Sequence, residues 1–103
     1  MEINIAKEFS KRPGGRYIKE GEYSGEEFRE TLLYPRYVEA KKKGKKLLIN
    51  LDNCYGYATS FLEEAFGGLA RKLNNNKIFN DFEFISEDEP NLVELIKGYI
   101  KNV

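Results

Sequence analysis

Histidine and tryptophan are missing from this chain of 103 residues, and cysteine and methionine occur once each. Without histidine there is no Ser-His-Asp or Cys-His catalysis and no imidazole to ligate a metal. A single cysteine, Cys54, cannot close an internal disulfide, and with no histidine beside it a structural zinc site within one chain is excluded. The segment Met1–Ile5 has no charged stretch leading into an apolar run, and no apolar run approaches the length of a bilayer, so a soluble cytoplasmic protein is expected, with no membrane partner. Neither sign of charge dominates, Lys plus Arg and Asp plus Glu numbering 17 each. A neutral chain lacks the footprint of a nucleic-acid binder. The one basic cluster, Lys41, Lys42, Lys43, Lys45 and Lys46, reads as a solvated helix end.

What the chain does have is apolar and aromatic material, 41% and 14% of its residues, enough for one core at this length. One domain over residues 1–103 is expected. Residues 2–5 alternate polar and apolar, which suits a first strand. Residues 10–16 are a loop by composition, and Tyr17–Ile18 suits a short second strand. Ser24 with Glu27 three residues on forms a capping box that opens a helix. Phe28, Leu32 and Leu33 begin its buried stripe, and Pro35 is expected to kink or restart it before it ends near Gly44. Leu47–Leu51 is nearly all apolar and reads as a central strand buried on both faces. Ser60 and Glu63 form a second capping box, followed by Phe61, Leu62, Ala65, Phe66, Leu69 and Leu73 at helical spacing. Asn74–Asn76 reads as a turn. A last strand runs through Phe82, Phe84 and Ile85, its start placed as early as Ile78. Leu92, Leu95, Ile96, Tyr99 and Ile100 make a closing amphipathic helix. Strands alternating with helices predict an α/β fold: a small mixed, mostly parallel sheet of about four strands with three main helices.

In such folds ligands and partners meet the carboxyl ends of the strands. Here that end leads through Asp52–Thr59 into the helix beginning near Ser60, whose free N–H groups favour an anion. Ser60 reads either as the helix cap or as a phosphorylatable hydroxyl at a positive dipole end. Tyr55 and Tyr57 flank Gly56; each could anchor an interface or close over the core. Ser60, Glu64, Gly67, Gly68 and Arg71 share one small, polar helix face. Two glycines inside a helix cost about 1 kcal/mol each, which either close packing or a partner's approach must offset. Cys54 reads as a small apolar residue. Gly14, Gly15 and Arg16 have the flexibility of an anion-binding loop without the spacing of a P-loop. Glu63 and Glu64 point about 100° apart on a helix and form no facing acid–base pair.

Several of these stretches resemble the STAS-like family of unknown function: Ile3 to Phe9, Pro13-Gly14-Gly15-Arg16-Tyr17, Ser24-Gly25-Glu26-Glu27-Phe28-Arg29, Leu51-Asp52, Tyr55-Gly56-Tyr57, Ser60-Phe61-Leu62-Glu63-Glu64-Ala65-Phe66-Gly67-Gly68-Leu69, and the Ser86–Pro90 turn. The resemblance extends to the STAS domains of sulphate transporters and anti-sigma factor antagonists, and it implies a small mixed sheet with helices. In the antagonists a serine at the start of a helix after a strand is phosphorylated by a histidine-kinase-type ATPase, and Ser60 occupies that place. Thr59 stands where the antagonists carry an aspartate, and Phe61 where they carry a small residue.

The expected function is a regulatory protein-binding module, without catalytic residues, cofactor or metal. Its face is Tyr55, Gly56, Tyr57, Thr59, Ser60, Glu64, Gly67, Gly68 and Arg71, with a histidine-kinase-type ATPase as the implied partner. The alternative is a small-ligand or nucleotide sensor holding an anion at the same helix start. An exposed strand edge would allow a homodimer.

Overall fold

The computed structural model describes residues 1–103. Three strands, β1 (Glu2–Asn4), β2 (Leu47–Asn50) and β3 (Phe82–Ile85), form one sheet in that order. Both pairings are parallel, with Ile3 opposite Ile49 and Ile49 opposite Phe84. The helices are α1 (Ile5–Glu8), α2 (residues 25–42), α3 (residues 59–73) and α4 (Leu92–Lys101). The α/β class and the helical crossovers are as the sequence predicts. The sheet has three strands rather than about four, and it is wholly parallel rather than mixed.

The missing strand is at Tyr17–Ile18, where a 3₁₀ turn, Ile18–Glu20, stands instead. The N–H groups that a ladder would use are taken by carboxylates: Glu20 accepts from Tyr17 N–H (2.9 Å) and Glu26 from Ile18 N–H (2.9 Å). The first strand is also shorter than expected. Asn4 caps α1 by accepting from Lys7 N–H (3.2 Å), which turns the chain away after three residues. The stretch Ile78–Asp81 is a 3₁₀ turn and not the start of β3.

The central strand is buried on one face only. Leu47, Ile49 and Leu51 are buried with Ile3 and Phe82 beneath the helices. Leu48 and Asn50, pointing the other way, are half-buried, and their neighbours Glu2 and Glu83 are exposed. Sequential parallel strands joined by right-handed crossovers place α2 and α3 on the same side of the sheet, which leaves the second side without a helical layer. Phe28 from α2 and Phe61 and Phe66 from α3 are fully buried in the layer between, with Phe9, Phe82 and Phe84 around them. Leu92, Ile96 and Ile100 bury the inner stripe of α4 against the middle of α3.

Both long helices contain a π turn, Arg29–Leu33 in α2 and Glu63–Gly67 in α3. π turns are rare, well under 1% of residues, and tend to occur where a site imposes them. In α2 the widened turn lies directly before Pro35, and the helix runs through that residue without a break. Carbonyls displaced by a π turn no longer point at the proline ring, which is the cause of the break expected there. Ser24 caps α2 as predicted, its hydroxyl accepting from Glu27 N–H (3.0 Å). The Glu27 carboxylate accepts from Tyr23 N–H (3.0 Å), one residue earlier than the box requires.

Candidate functional site

The carboxyl end of β2 feeds a loop that is fastened at three points. Tyr55 N–H donates to Lys11 O (2.8 Å), tying it to the 10–16 segment. Asp52 Oδ1 accepts from Asp88 N–H (3.0 Å) while Asn53 N–H donates to Asp88 Oδ2 (2.8 Å), a clasp between two strand-end loops. Tyr57 Oη donates to Leu51 O (2.8 Å). Gly56, at φ 152°, occupies backbone space that residues with a Cβ rarely adopt, and it lets the chain reverse between the two tyrosines.

The tyrosines separate. Tyr57 turns inward against Phe61, 5.9 Å between ring centres, with Cys54 Sγ 3.1 Å from its hydroxyl. Burial, then the bond to Cys54, pushes its pKa far above the ordinary phenol value. Tyr55 stays 75% exposed, with the Arg12 guanidinium 4.6 Å from its ring centre. Burial likewise raises the Cys54 thiol, against the pull of Tyr57, so a thiolate nucleophile is disfavoured there.

Ser60 is not the cap of its helix. The N-cap is Ala58, which offers no side-chain acceptor, and Thr59 begins the helix. Ala58 O takes the N–H groups of Phe61 (3.1 Å) and Leu62 (3.2 Å), while those of Thr59 and Ser60 make no bond within the chain. The capping box fails because the helix starts before Ser60, so the N–H of Glu63 donates to the Thr59 and Ser60 carbonyls instead of to the serine hydroxyl, and the acidic side chain of Glu63 is held elsewhere. Its carboxylate accepts from Arg16 (2.6 Å) and from Arg71 (2.7 and 3.2 Å). The Arg71 bond, opposed by burial and aided by Arg16, keeps the Glu63 carboxyl below its ordinary range. Ser60 therefore lies half-buried in the first turn, beside exposed Thr59.

The Glu64–Gly67–Gly68 part of the expected binding face is covered by the chain itself. Glu64 is 8% exposed, and its carboxylate accepts from Arg29 (2.7 Å) and Arg16 (3.2 Å), with Arg71 3.6 Å away. Arg29 also donates to the Glu64 carbonyl (2.7 Å), so the two π turns meet at this ion pair. Gly67 and Gly68 are buried. A Cβ at Gly68 would collide with Arg29 Nη1, and one at Gly67 would lie 2.5 Å from Glu63 Oε2 and 3.3 Å from Tyr99 O. Close packing within the chain accounts for both glycines.

In the 14–16 segment two of the three N–H groups are already taken, that of Arg16 by Glu20 Oε1 (3.2 Å) and that of Gly14 within the chain, which leaves only the Gly15 N–H for an anion. Gly15 O and Arg16 O accept from Gly25 N–H (2.9 Å) and Glu26 N–H (3.0 Å), and Gly14 N–H donates to Tyr23 O (2.7 Å). The Arg16 charge is met by Glu63 and Glu64. This arginine–glutamate network was not legible beforehand; only the polarity of the α3 face hinted at it, since Arg16 and Arg29 are distant in sequence. What remains outward is one contiguous patch: Tyr55, Gly56, Ala58, Thr59 and Ser60, with Arg71 exposed farther along α3.

No helix is long and apolar enough to cross a membrane. A family model described as a STAS-like domain of unknown function matches residues 24–92. No curated protein and no solved structure matches the chain.

Proposed function

We propose, on the premise that the chain belongs to the STAS-like domain family of unknown function, that it is a regulatory module that binds another protein rather than transforming a substrate. The observation that carries this reading is the outward Tyr55. A tyrosine 75% exposed on a loop fastened at three points is a preordered aromatic anchor beside the open first turn of α3. Large aromatics of this kind dominate interface energies, and a fixed loop costs little entropy to dock.

Ser60 supplies the regulatory element. Its hydroxyl lies in a turn whose first N–H groups are uncapped, so a phosphoryl group there would meet donors and the positive end of a helix of fifteen residues, 59–73. The partner we propose, from the resemblance to anti-sigma factor antagonists, is a histidine-kinase-type ATPase. The test is affinity capture from native extract with wild type, Tyr55→Ala and Ser60→Glu, each checked by circular dichroism. Retention of one partner by wild type and its loss from both variants is the expected result. Equal retention by all three would remove this face from consideration.

The same uncapped N–H groups favour a second reading, a sensor for a nucleotide or other small anion. Thermal-shift measurements with nucleotides at about millimolar concentration separate the two, since a ligand of the native state must raise Tm.

A further inference from the structure

We propose that two copies of this chain pair through the outer edges of their β3 strands, antiparallel about a two-fold axis at Phe84. The acidic 87–89 loop of each copy then seats on a lysine-lined cleft of the other. This surface is separate from the Tyr55–Ser60 patch.

The two edges of the sheet are finished differently. At β1 the outward groups are capped by side chains. Glu2 O accepts from Arg36 Nη1 (3.0 Å), Asn4 N–H donates to Glu8 Oε2 (2.9 Å), and Arg36 and Glu8 are locked together at 2.8 Å. No further strand can use that edge. At β3, Leu51 N–H donates to Ile85 O (2.8 Å), so Glu83 and Ile85 face β2 while Phe82 and Phe84 turn their backbone groups outward. Phe82 N–H is taken by Phe79 O. The Phe84 N–H and C=O have no partner within the chain. Unpaired groups on an edge strand are a template for another strand.

A second copy completes that edge by itself. About a two-fold axis at Phe84 the two phenylalanines exchange both N–H···O bonds, and Phe82 lies opposite Ser86 of the other copy. Glu83 then faces Ile85 and not its own equivalent, so no like charges meet across the ladder. Antiparallel pairing also carries the chain after Ser86 toward the amino end of the other β3. The cleft there is lined by Asn76, Lys77, Phe79, Asn80, Lys97 and Lys101, with no carboxylate among them. None of the three lysines is in an ion pair, whereas Lys41, Lys43 and Lys72 are. The arriving Glu87, Asp88 and Glu89 are exposed. Symmetry supplies this contact twice.

Sedimentation and light scattering over a concentration series, at low and high salt, read the association. Wild type is expected to dimerise, more weakly as salt rises. Lys97→Glu/Lys101→Glu and Glu87→Lys/Glu89→Lys are each expected to shift the dissociation constant upward by at least about tenfold, with unchanged circular dichroism. Mixing the two variants restores the dimer, because every loop then meets a cleft of opposite sign. A wild type that stays monomeric at millimolar concentration overturns the proposal, as does a dimer indifferent to both charge reversals. So does a monomer whose Phe84 amide becomes protected only when a strand from a different protein is added.

Discussion

Replacing Arg29 by Met tests whether the buried ion pair between the two π turns holds α2 against α3. The side chains of Arg29 and Glu64 are 12% and 10% exposed, and Arg29 Nη1 reaches both Glu64 Oε2 and the Glu64 carbonyl at 2.7 Å. Breaking a buried pair from one side costs about 3–5 kcal/mol, because the partner charge stays desolvated. Glu64 Oε1 keeps Arg16 at 3.2 Å and Arg71 at 3.6 Å, which places Arg29→Met at the lower end, about 3 kcal/mol. Glu64→Leu alone leaves Arg29 its bonds to the Glu64 carbonyl at 2.7 Å and to the Glu30 carboxylate at 2.9 Å, and is expected to cost about 2–3 kcal/mol. In the double variant no buried charge is orphaned at this contact, so its loss should fall short of the sum by about 2 kcal/mol. Urea unfolding followed by circular dichroism reads all three, with the m value required to stay constant. Additivity within about 0.5 kcal/mol would refute the view that these two residues act as one contact.

Tyr57→Phe removes the donor to Leu51 O and is expected to cost about 1–2 kcal/mol in the same urea assay, while Tyr55→Phe, with its ring in solvent, is expected to cost nothing measurable. Acid unfolding addresses Glu63, whose folded pKa lies below its ordinary 4.5, first through the Arg71 bond. A depressed carboxylate contributes stability that is full above the unfolded pKa and is lost as pH falls through the folded one. The stability difference between wild type and Glu63→Gln should therefore shrink as pH falls below 4.5 and through the lowered folded pKa, and a difference independent of pH would contradict the ion-pair reading.

What the sequence conveyed were the features set by near neighbours. The Leu92–Ile100 spacing marked α4, the Leu47–Leu51 run marked β2, and Ser24 marked the start of α2, since each signal is local. The failures were cases where a distant residue claimed a group that local chemistry had assigned elsewhere. Ser60 lost its capping box because the helix starts at Thr59, and the Glu63 carboxylate that would have closed the box is held by Arg16, 47 residues away. The strand at Tyr17–Ile18 failed because Glu26, eight residues on, takes the Ile18 N–H. For Gly67 and Gly68 the local pattern allowed close packing and a partner's approach equally, and Arg29 and Tyr99, distant in sequence and packed against them, decide for packing. One-sided burial of β2 was hidden because Leu48 is apolar whichever face the helices cover. The candidate patch survives in its loop half, at Tyr55, Gly56, Thr59 and Ser60 but not at Tyr57, which packs inward on Phe61, and it is lost in its helical half at Glu64, Gly67 and Gly68, which the chain itself covers.

The clasp between Asp52, Asn53 and Asp88 joins the two surfaces proposed for this chain. One side of it is the loop that carries Tyr55; the other is the acidic loop that would seat on a second copy. Because Asn53 N–H has Asp88 Oδ2 as its acceptor at 2.8 Å, Asp88→Ala removes one bond of the clasp and keeps the other, Asp88 N–H to Asp52 Oδ1. The loss is about 1 kcal/mol, small beside a folding stability of about 5–15 kcal/mol, so the fold should persist while both loops loosen. Partner capture and self-association should then weaken together. The charge reversals at Lys97 and Lys101 act far from Tyr55 and should weaken self-association alone. If Asp88→Ala lowers one property and leaves the other at the wild-type level, the two loops move independently, and binding at the Tyr55 patch cannot be coupled to pairing at β3 through this clasp.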